Sequence, residues 1–558
     1  MPSVFPSVSS PFSKFFPLDC LLVNSPFLFE WLFISGNRPL LPYFKITAPL
    51  TTVSEGSVFS SSVVTAQVAD KLCDWTAACK LVPRNMSVEV MRTECYGKNA
   101  VTVFSDQRES LAFAREIAET KSAQGDCEPF FVMSLARVRD RIREWKLAFP
   151  RVQPHYALKC NDDPVLLRLL AQHDEIGFDC ASKDHLEAVL GVVSTDRIVY
   201  SNPVLTRNVL RHAAKADVAT MIFESEAELA RITANHPDAN LVLRICVRRP
   251  RSMDADCDFS ASMGCDPFDE APALLEAAYL LGARVVGIAF NLGASNSDDP
   301  RDFAVGIEIA RKLFAAAQTF GHEMSILSIG GGFPAFYSPC TPKASFAQIA
   351  DVVNEALRDS FPEDVFPRLR IIAQPGRFFA SAAFTLITNV IGKRVVDSAA
   401  VSAGQLFAES RRGFVYQTNE GFYGAFGCRL AANCEPQSRP LFEDAVCDDE
   451  GYFATIVGPT LDKFDMIEQS CRYRELSVGD WLMWPQMGAY SLGNRGTLGD
   501  LDQPQPTIYY FAGHKDWERI CSPNQMNFTT DIEEDGDSLC STDSAIESDS
   551  DFFYNTLH

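Results

Sequence analysis

Short apolar runs alternate with amphipathic segments through the middle of the chain, from about residue 130 to about residue 380. Eight of the runs have the length and β-branched content of buried strands. These predicted strands are His155–Lys159, Ile176–Cys180, Arg197–Ser201, Ala219–Phe223, Leu241–Cys246, Val285–Leu292, Ile326–Ile329 and Leu369–Ala373. The helical segments between them are Pro164–Gln172, His185–Val193, Val209–Ala216, Glu226–Ala234, Ala271–Leu281, Phe303–Phe320 and Phe346–Ser360. Strands and helices that alternate at nearly regular spacing predict an α/β fold, a (β/α)₈ barrel.

After Phe379 the helical spacing fades, and turns rich in Pro and Gly separate shorter apolar runs. The predicted strands here are Thr385–Ile391, Gly413–Thr418, Tyr452–Val457, Trp481–Trp484 and Thr507–Phe511. Strands without intervening helices indicate a second, all-β domain. A loop-rich insertion is the alternative.

The chain has 558 residues and a 47% hydrophobic content, enough for a large core, two domains and terminal tails. Its formal net charge of −22 argues against nucleic acid or an anionic membrane as a partner. Residues 531–558 contain nine acidic residues and no Lys or Arg. This composition predicts a disordered acidic tail.

The 17 cysteines include no Cys-x-x-Cys pair, so they indicate neither a zinc site nor a disulfide framework. They fit a reducing, cytoplasmic compartment. The eight histidines show no ligand spacing, and we expect no metal site. The apolar stretch 16–35 is interrupted by Pro17, Asp19 and Glu30, which argues against a transmembrane helix.

Three features carry candidate chemistry. Lys159 ends the first predicted barrel strand, where an amine can form a Schiff base with a cofactor aldehyde. A lysine in that position is more often only a solvated charge. However, Gly330, Gly331 and Gly332 form a run that can close around a phosphate, and Arg377 suits bidentate phosphate binding. Each falls at or just beyond the C-terminal end of a predicted strand, where barrel active sites assemble.

These features, in this order, resemble the eukaryotic ornithine decarboxylase family, whose cofactor is pyridoxal 5'-phosphate. Longer matches at 177–183, 241–245 and 487–490 support the resemblance, which runs from about residue 96 to about residue 520. It implies an alanine racemase-like fold of type III. The implied organisation is an unmatched, poorly ordered extension at 1–95, a β-domain segment at 96–130, the barrel at 131–380, the β domain at 381–523 and the acidic tail at 524–558.

The resemblance also implies roles for individual residues. Lys159 matches the catalytic lysine that binds the cofactor covalently. Asp179 and Arg244 match residues that support that lysine and the surroundings of the ring. Gly330, Gly331, Gly332, Arg377 and Tyr490 match the phosphate-binding positions.

Several positions depart from the family pattern on the cofactor side. Gln374 replaces the glutamate that pairs with the pyridine nitrogen, and a neutral amide stabilises a protonated ring far less than a carboxylate does. Asn291 replaces the histidine that stacks on the ring, and Ala294 replaces a serine beside the phosphate. We therefore expect weak cofactor binding and a poorer electron sink.

The substrate side departs further. Ala431 and Ala432 replace a Tyr-Asp pair whose aspartate accepts the distal ammonium of the substrate. Leu461 replaces the cysteine that directs protonation, and leucine cannot transfer a proton. Asp462 is the one substrate acid that remains.

The family dimer also looks weakened. Asp465 is retained, but Ser262 stands where its lysine partner across the interface is found. Leu498 and Leu501 replace interface aromatics. We expect a weak homodimer.

Two hypotheses of different classes remain. In the first, the protein is catalytically impaired and resembles the antizyme inhibitors, which regulate polyamine synthesis by binding antizyme. Antizyme would bind the 204–231 surface, where Arg211 and Arg231 keep the positive charge of the family. Outward helix faces of barrels normally carry such residues as well. In the second, it is an active pyridoxal phosphate-dependent decarboxylase that makes an amine from ornithine or another amino acid, with a pocket enlarged by Ala431 and Ala432.

Overall fold

A computed structural model describes residues 90–202, 205–247, 263–293, 299–335, 344–402, 412–432, 435–443, 451–460, 462–492 and 505–521. The predicted acidic tail and most of the predicted N-terminal extension lie outside these ranges. Ser262, Ala294, Leu461, Leu498 and Leu501 also lie outside them.

The described chain begins with elements that precede the barrel. These are β1 (Val90–Tyr96), β2 (Asn99–Phe104), α1 (Ser110–Gln124) and β3 (Phe130–Ser134). β1 starts ahead of residue 96, where the resemblance places the beginning of the folded chain, and it pairs with β2 in an antiparallel hairpin.

Eight parallel strands close into a barrel. They are β4 (Val152–Ala157), β5 (Gly177–Cys180), β6 (Ile198–Tyr200), β7 (Thr220–Phe223), β8 (Asn240–Ile245), β9 (Arg284–Phe290), β10 (Ile326–Ser328) and β11 (Arg370–Ala373). The helices α2 (Leu135–Ala148), α3 (Pro164–Ala171), α4 (Lys183–Val189), α5 (Arg207–Lys215), α6 (Glu226–Asn235), α7 (Glu270–Leu280), α8 (Arg301–Thr319) and α9 (Phe346–Ser360) accompany them. The predicted barrel is confirmed, and its closure is the parallel pairing of β11 with β4.

Branched side chains from the strands fill the barrel, as in other barrels of this kind. A buried cluster made only of strand residues consists of Val199, Ile222, Val242, Val286, Ala289, Ile326 and Ile372. The larger apolar cluster packs the opposite strand faces against the helices. His155 on β4 is fully buried opposite Gly177 of β5, and neither of its ring nitrogens has a hydrogen-bond partner.

The remaining elements build the β domain. They are α10 (Arg377–Ala380), β12 (Phe384–Asp397), β13 (Arg412–Thr418), α11 (Cys428–Ala432), β14 (Arg439–Pro440), β15 (Tyr452–Val457), β16 (Met466–Tyr473), β17 (Trp481–Trp484), β18 (Thr507–Gly513) and α12 (His514–Cys521). The sheet runs β1-β2-β18-β3-β12-β13-β15-β16, so strands from both ends of the described chain meet in it. β12 pairs with β3 and β17 first and with β13 after a register shift between Val390 and Gly392.

Within the described ranges no helix is long and apolar enough to cross a membrane. In the same part of the chain, no group of three or more His, Cys, Asp or Glu side chains is arranged to hold a metal ion.

Candidate functional site

Lys159 lies in a short 3₁₀ turn at the mouth of the barrel, not on the strand that the sequence predicts. β4 ends at Ala157, whose N–H donates to the Pro375 carbonyl oxygen at 3.0 Å. The chain then turns outward, and the Cys160 carbonyl oxygen accepts a hydrogen bond of 2.8 Å from the Tyr490 N–H. Residues 158–161, 375–377 and 488–490 therefore meet at one end of the barrel, with the Lys159 side chain exposed there.

Asp179 is a buried carboxyl group beside this turn, since it pairs with Ala157 across β4 and β5. Only 3% of the residue is exposed, and burial raises the pKa of the Asp179 carboxyl. A hydrogen bond from Ser201 and the positive charges of Lys159 and Arg244 act in the opposite direction. Asp179 is thus a carboxyl group whose ionised form depends on its neighbours.

Gln374 follows β11 directly, and its side-chain amide is committed to Asp179. Its Nε2 donates to Asp179 Oδ1 at 3.0 Å. This bond uses one of the two Nε2 donors, so the second N–H and the neutral Oε1 are left for other groups, and neither carries a charge. The Gln374 backbone N–H donates to the Gly330 carbonyl oxygen at 2.6 Å, which joins this residue to the glycine turn.

The glycine turn follows β10 and has a conformation that other residues rarely adopt. Gly330 and Gly332 have φ values of +71° and +100°. A Cβ on Gly330 would lie 2.3 Å from the Phe290 carbonyl oxygen, and one on Gly331 would lie 2.8 Å from the Gln374 carbonyl oxygen. These close backbone approaches require glycine.

The Asn291 side chain binds the backbone of this turn. Its Oδ1 accepts hydrogen bonds from the Gly293 N–H at 3.0 Å and from the Gly331 N–H at 3.3 Å. An amide that binds the neighbouring backbone stabilises the turn, but it provides no aromatic plane to the site.

Glu224, which was not predicted from the sequence, binds the Arg244 guanidinium. Glu224 Oε2 accepts from Arg244 Nε at 2.8 Å and from the Gly264 N–H at 2.6 Å. One carboxylate oxygen therefore positions the Arg244 side chain and also binds the backbone of Gly264. The only signal in the sequence is an acid placed directly after a predicted strand, which is too common to single out.

Tyr490 and Arg377 approach the turn from the β-domain side. Tyr490 has a φ of +60°, and burial raises the pKa of its hydroxyl, while the Arg377 guanidinium opposes that rise. Gly488 lets the backbone before Tyr490 pack closely against Ala380, because a Cβ at Gly488 would lie 1.9 Å from the Ala380 carbonyl oxygen.

The acidic residues expected on the substrate side form hydrogen bonds with other residues of the β domain. Asp462 Oδ1 accepts from the Tyr423 hydroxyl at 3.1 Å and from the Phe464 N–H at 2.8 Å. Asp465 is fully buried, and it accepts three hydrogen bonds, from the Phe422 N–H at 2.7 Å, the Thr460 N–H at 2.9 Å and Thr460 Oγ1 at 2.5 Å. Ala432 ends α11.

Arg211 and Arg231 lie elsewhere, on the outer faces of α5 and α6, and both are exposed. The 204–231 surface is therefore separate in the fold from the turn that carries Lys159. Leu205, where the resemblance expects another cation, is buried.

Comparisons with known proteins agree with this geometry. The family described as pyridoxal-dependent decarboxylase, pyridoxal binding domain, matches residues 135–381. The chain is 40% identical to the ornithine decarboxylase of Panagrellus redivivus over 411 residues, which cover 74% of this chain and 92% of that protein. The chain belongs to the ornithine decarboxylase and antizyme inhibitor family. It is also 34% identical to antizyme inhibitor 2 of Xenopus laevis over 445 residues, 76% of this chain and 93% of that protein.

Solved structures of the family agree on the architecture. The arginine decarboxylase of Paramecium bursaria Chlorella virus is 33% identical, with a TM-score of 0.62 over 72% of this chain and all of that one. The fold of type III, with its barrel and second β domain, is therefore confirmed.

The described residues fit pyridoxal phosphate, which is the cofactor of this family. Lys159 would bind its aldehyde, the turn at Gly330 and Gly331 leaves backbone free of Cβ atoms, and Arg377 with Tyr490 would hold the phosphate. When bound, pyridoxal phosphate supplies an electron sink for bond cleavage at the α-carbon of an amino acid.

Proposed function

We propose that this family member is catalytically impaired towards ornithine and acts as a regulator of polyamine synthesis that resembles the antizyme inhibitors. The observation that carries the proposal is the 3.0 Å hydrogen bond from Gln374 Nε2 to Asp179. It fixes a neutral amide where the family has a carboxylate, so no negative charge is available at this position. The loss of a charged hydrogen bond of about 1.5–3 kcal/mol corresponds to roughly one to two decades in rate.

The substrate side supports the same proposal. A diamine-forming enzyme needs an acid that accepts the distal ammonium of its substrate. Ala432 offers none, and Asp462 is held by the Tyr423 hydroxyl and the Phe464 N–H. An ornithine ammonium would therefore meet a carboxylate that already accepts two hydrogen bonds on Oδ1.

The first experiment measures release of carbon dioxide from ornithine by the purified protein in the presence of pyridoxal phosphate. We expect negligible turnover. A rate within tenfold of ordinary enzymes, on the order of 10 per second, would overturn the proposal. Gln374→Glu combined with Ala432→Asp and Leu461→Cys should raise the rate, because the three changes return charge and a proton donor together.

We further propose antizyme as the partner, bound through the 204–231 surface. The argument rests on the exposed cations Arg211 and Arg231 and on the relative named antizyme inhibitor 2. In a pull-down with cognate antizyme, Arg211→Glu with Arg231→Glu should abolish capture. Exposed charge changes usually alter stability by only about 0.5 kcal/mol, so the fold should survive.

A matched control is available on another outer face. Arg358→Glu with Arg368→Glu makes the same change in net charge at exposed positions of the barrel domain. It should leave capture intact. Absence of capture by the wild type, or equal capture by both double variants, would contradict the proposal.

We propose only a weak homodimer. The Asp465 carboxylate is fully buried and accepts three hydrogen bonds within its own chain, which leaves it poorly placed for a lysine of a second subunit. Sedimentation analysis should show monomers at micromolar concentration.

A second candidate function is an active decarboxylase with a different substrate. The exposed Lys159 beside Asp179 and the intact glycine turn favour this function. A purely structural protein does not need either feature. Screening apolar and basic amino acids in the same assay separates the candidates. Turnover of any of them at an ordinary enzymatic rate would favour the second.

A further inference from the structure

The basic ridge of α5, which consists of Arg207, Arg211 and Lys215, has a regular geometry. Residues four apart on a helix lie one above another on the same face. All three are exposed, and Arg231 is exposed on the neighbouring helix α6. None of these four side chains forms an ion pair with a carboxylate of the described ranges.

On another cation-rich helix, α2, several cations are paired within the fold: Arg139 binds Asp516, Arg141 lies 2.6 Å from Glu144 and Lys146 binds Glu175. The cations of the basic ridge, in contrast, are left to solvent.

Two acidic groups lie near these cations. On α6 the charge of Arg231 opposes the rise that burial causes in the pKa of the Glu228 carboxyl. His212 on α5 lies 4.0 Å from Glu187 on α4, but Glu187 is itself paired with Lys183 at 3.1 Å. The basic ridge is therefore an exposed positive face on a protein whose net charge is −22.

The same chain carries a candidate ligand of opposite charge. Residues 531–551 hold nine acidic side chains and no Lys or Arg. The last described residue is Cys521, and an extended chain from there to Asp551 would span up to roughly 100 Å. A folded body of this size is roughly 55 Å across, so the segment can reach any face of it.

We infer that the acidic segment 531–551 binds the basic ridge and Arg231 of its own chain, and that it shields this face from other partners. Tethering raises the effective concentration of the segment to the millimolar range, so a weak contact suffices for occupancy. Charge complementarity favours the ridge over the surface of α2, where three of the cations are paired. The consequence for antizyme rests on the function proposed above; the contact itself does not.

Carbodiimide cross-linking of the full chain tests the contact directly, since it joins a lysine amine to a carboxylate only when they touch. Lys215 is the one lysine of the basic ridge and serves as the reporter. Peptide mapping should find Lys215 joined to acids within 531–551. The yield should fall about fivefold or more at 0.5 M salt, because screening weakens exposed pairs.

Arg211→Glu with Arg231→Glu keeps the reporter lysine and removes the attraction. It should lower the Lys215 cross-link about fivefold, whereas Arg358→Glu with Arg368→Glu should leave it within about twofold. Cross-links from Lys393, Lys463 or Lys515 to the segment without one from Lys215 would overturn the inference. Equal yields in the two double variants would overturn it as well.

A second variant tests the regulatory consequence. Converting the nine acids of 531–551 to Asn or Gln in the full chain should increase antizyme affinity about tenfold, the benefit of removing a tethered competitor. Unchanged affinity would overturn the shielding. If no variant binds antizyme, the proposed partner fails, but the Lys215 cross-link still decides the contact.

Discussion

The barrel side of the candidate site and its β-domain side differ in what their polar groups face. On the barrel side Asp179, Arg244 and Lys159 converge, and Glu224 supports them from behind. On the β-domain side Asp462 and Asp465 bind their own chain. The polar groups of the barrel side thus face one another around the Lys159 turn, whereas those of the β-domain side are engaged by their own backbone and side chains.

The largest effect should come from the barrel side. Lys159→Ala removes the amine that we propose binds the cofactor aldehyde, so the absorbance band of the lysine-bound cofactor should vanish. Lys183→Ala, at an exposed lysine paired with Glu187, is the control and should keep the band. An unchanged spectrum in Lys159→Ala would show that the barrel side is also vestigial.

The glycine turn should respond next. Gly330→Ala places a Cβ 2.3 Å from the Phe290 carbonyl oxygen, at a φ of +71°. Gly125, with a φ of +72° and nothing within 4 Å, isolates the backbone penalty in Gly125→Ala. We expect a loss of about 1 kcal/mol in the control. The collision should add about 1–3 kcal/mol in Gly330→Ala.

Urea unfolding of both variants measures this difference. Equal losses of unfolding free energy would mean that the turn can relax around a methyl group. In that case the close packing of Gly330 would not be evidence for a preserved cofactor turn.

Much of the barrel side could be predicted from the sequence, because regular periodicity and chemistry coincide there. The strands carry continuous apolar runs, and the site residues follow directly after them. The position of Lys159 on a strand was wrong. The apolar run continues through Leu158, but the hydrogen bond from Ala157 to Pro375 is the last on that edge before the chain turns outward.

The β-domain side could not be predicted to the same depth. β16 was missed because Ser470, with a φ of +57°, interrupts the alternation of buried and exposed positions. The hydrogen bond between Tyr423 and Asp462 joins residues 39 positions apart. Local spacing cannot reveal a partner at such a separation, so the contacts of Asp462 become visible only in three dimensions.

Buried titratable groups give the two sides opposite responses to pH. Inside the barrel, burial lowers the pKa of His155 to about 3, and the charges of Arg370 and Arg197 act in the same direction. In the unfolded chain the His155 ring takes up a proton near pH 6.5, whereas in the folded chain it stays neutral down to about pH 3. The stability that this difference provides is therefore complete above pH 6.5 and is lost as the pH falls towards 3. From pH 7.5 to 5.5 the unfolding free energy should fall by about 1.4 kcal/mol.

His155→Phe should remove this pH dependence of the unfolding free energy and raise stability at pH 5.5, since neither ring nitrogen is within hydrogen-bond geometry of another described residue and only a backbone interaction with Gln153 opposes the lowered pKa. Urea midpoints at the two pH values provide the measurement. An unchanged slope in the variant would mean that other groups titrate in its place.

The smallest effect belongs to Glu468 on β16. Burial raises the pKa of its carboxyl to about 7, although hydrogen bonds from Ser438 and Tyr473 oppose that rise. Because the folded pKa exceeds that of the unfolded chain, the folded state holds the extra proton between about pH 4.5 and 7. Its contribution is therefore complete at low pH and is lost as pH rises through 7, opposite in sign to that of His155.

Glu468→Gln should cancel this loss while keeping an oxygen for the Ser438 N–H, which donates at 3.0 Å in the native chain. Since the Glu468 side chain remains partly open to solvent, we expect only about 1 kcal/mol between pH 5.5 and 7.5. The test compares urea midpoints of wild type, His155→Phe and Glu468→Gln at both pH values. Opposite changes of slope in the two variants would show that each half responds to protons through its own buried group. A slope that Glu468→Gln leaves unchanged would instead mean that this carboxyl stays ionised in the fold, held by the Ser438 and Tyr473 donors.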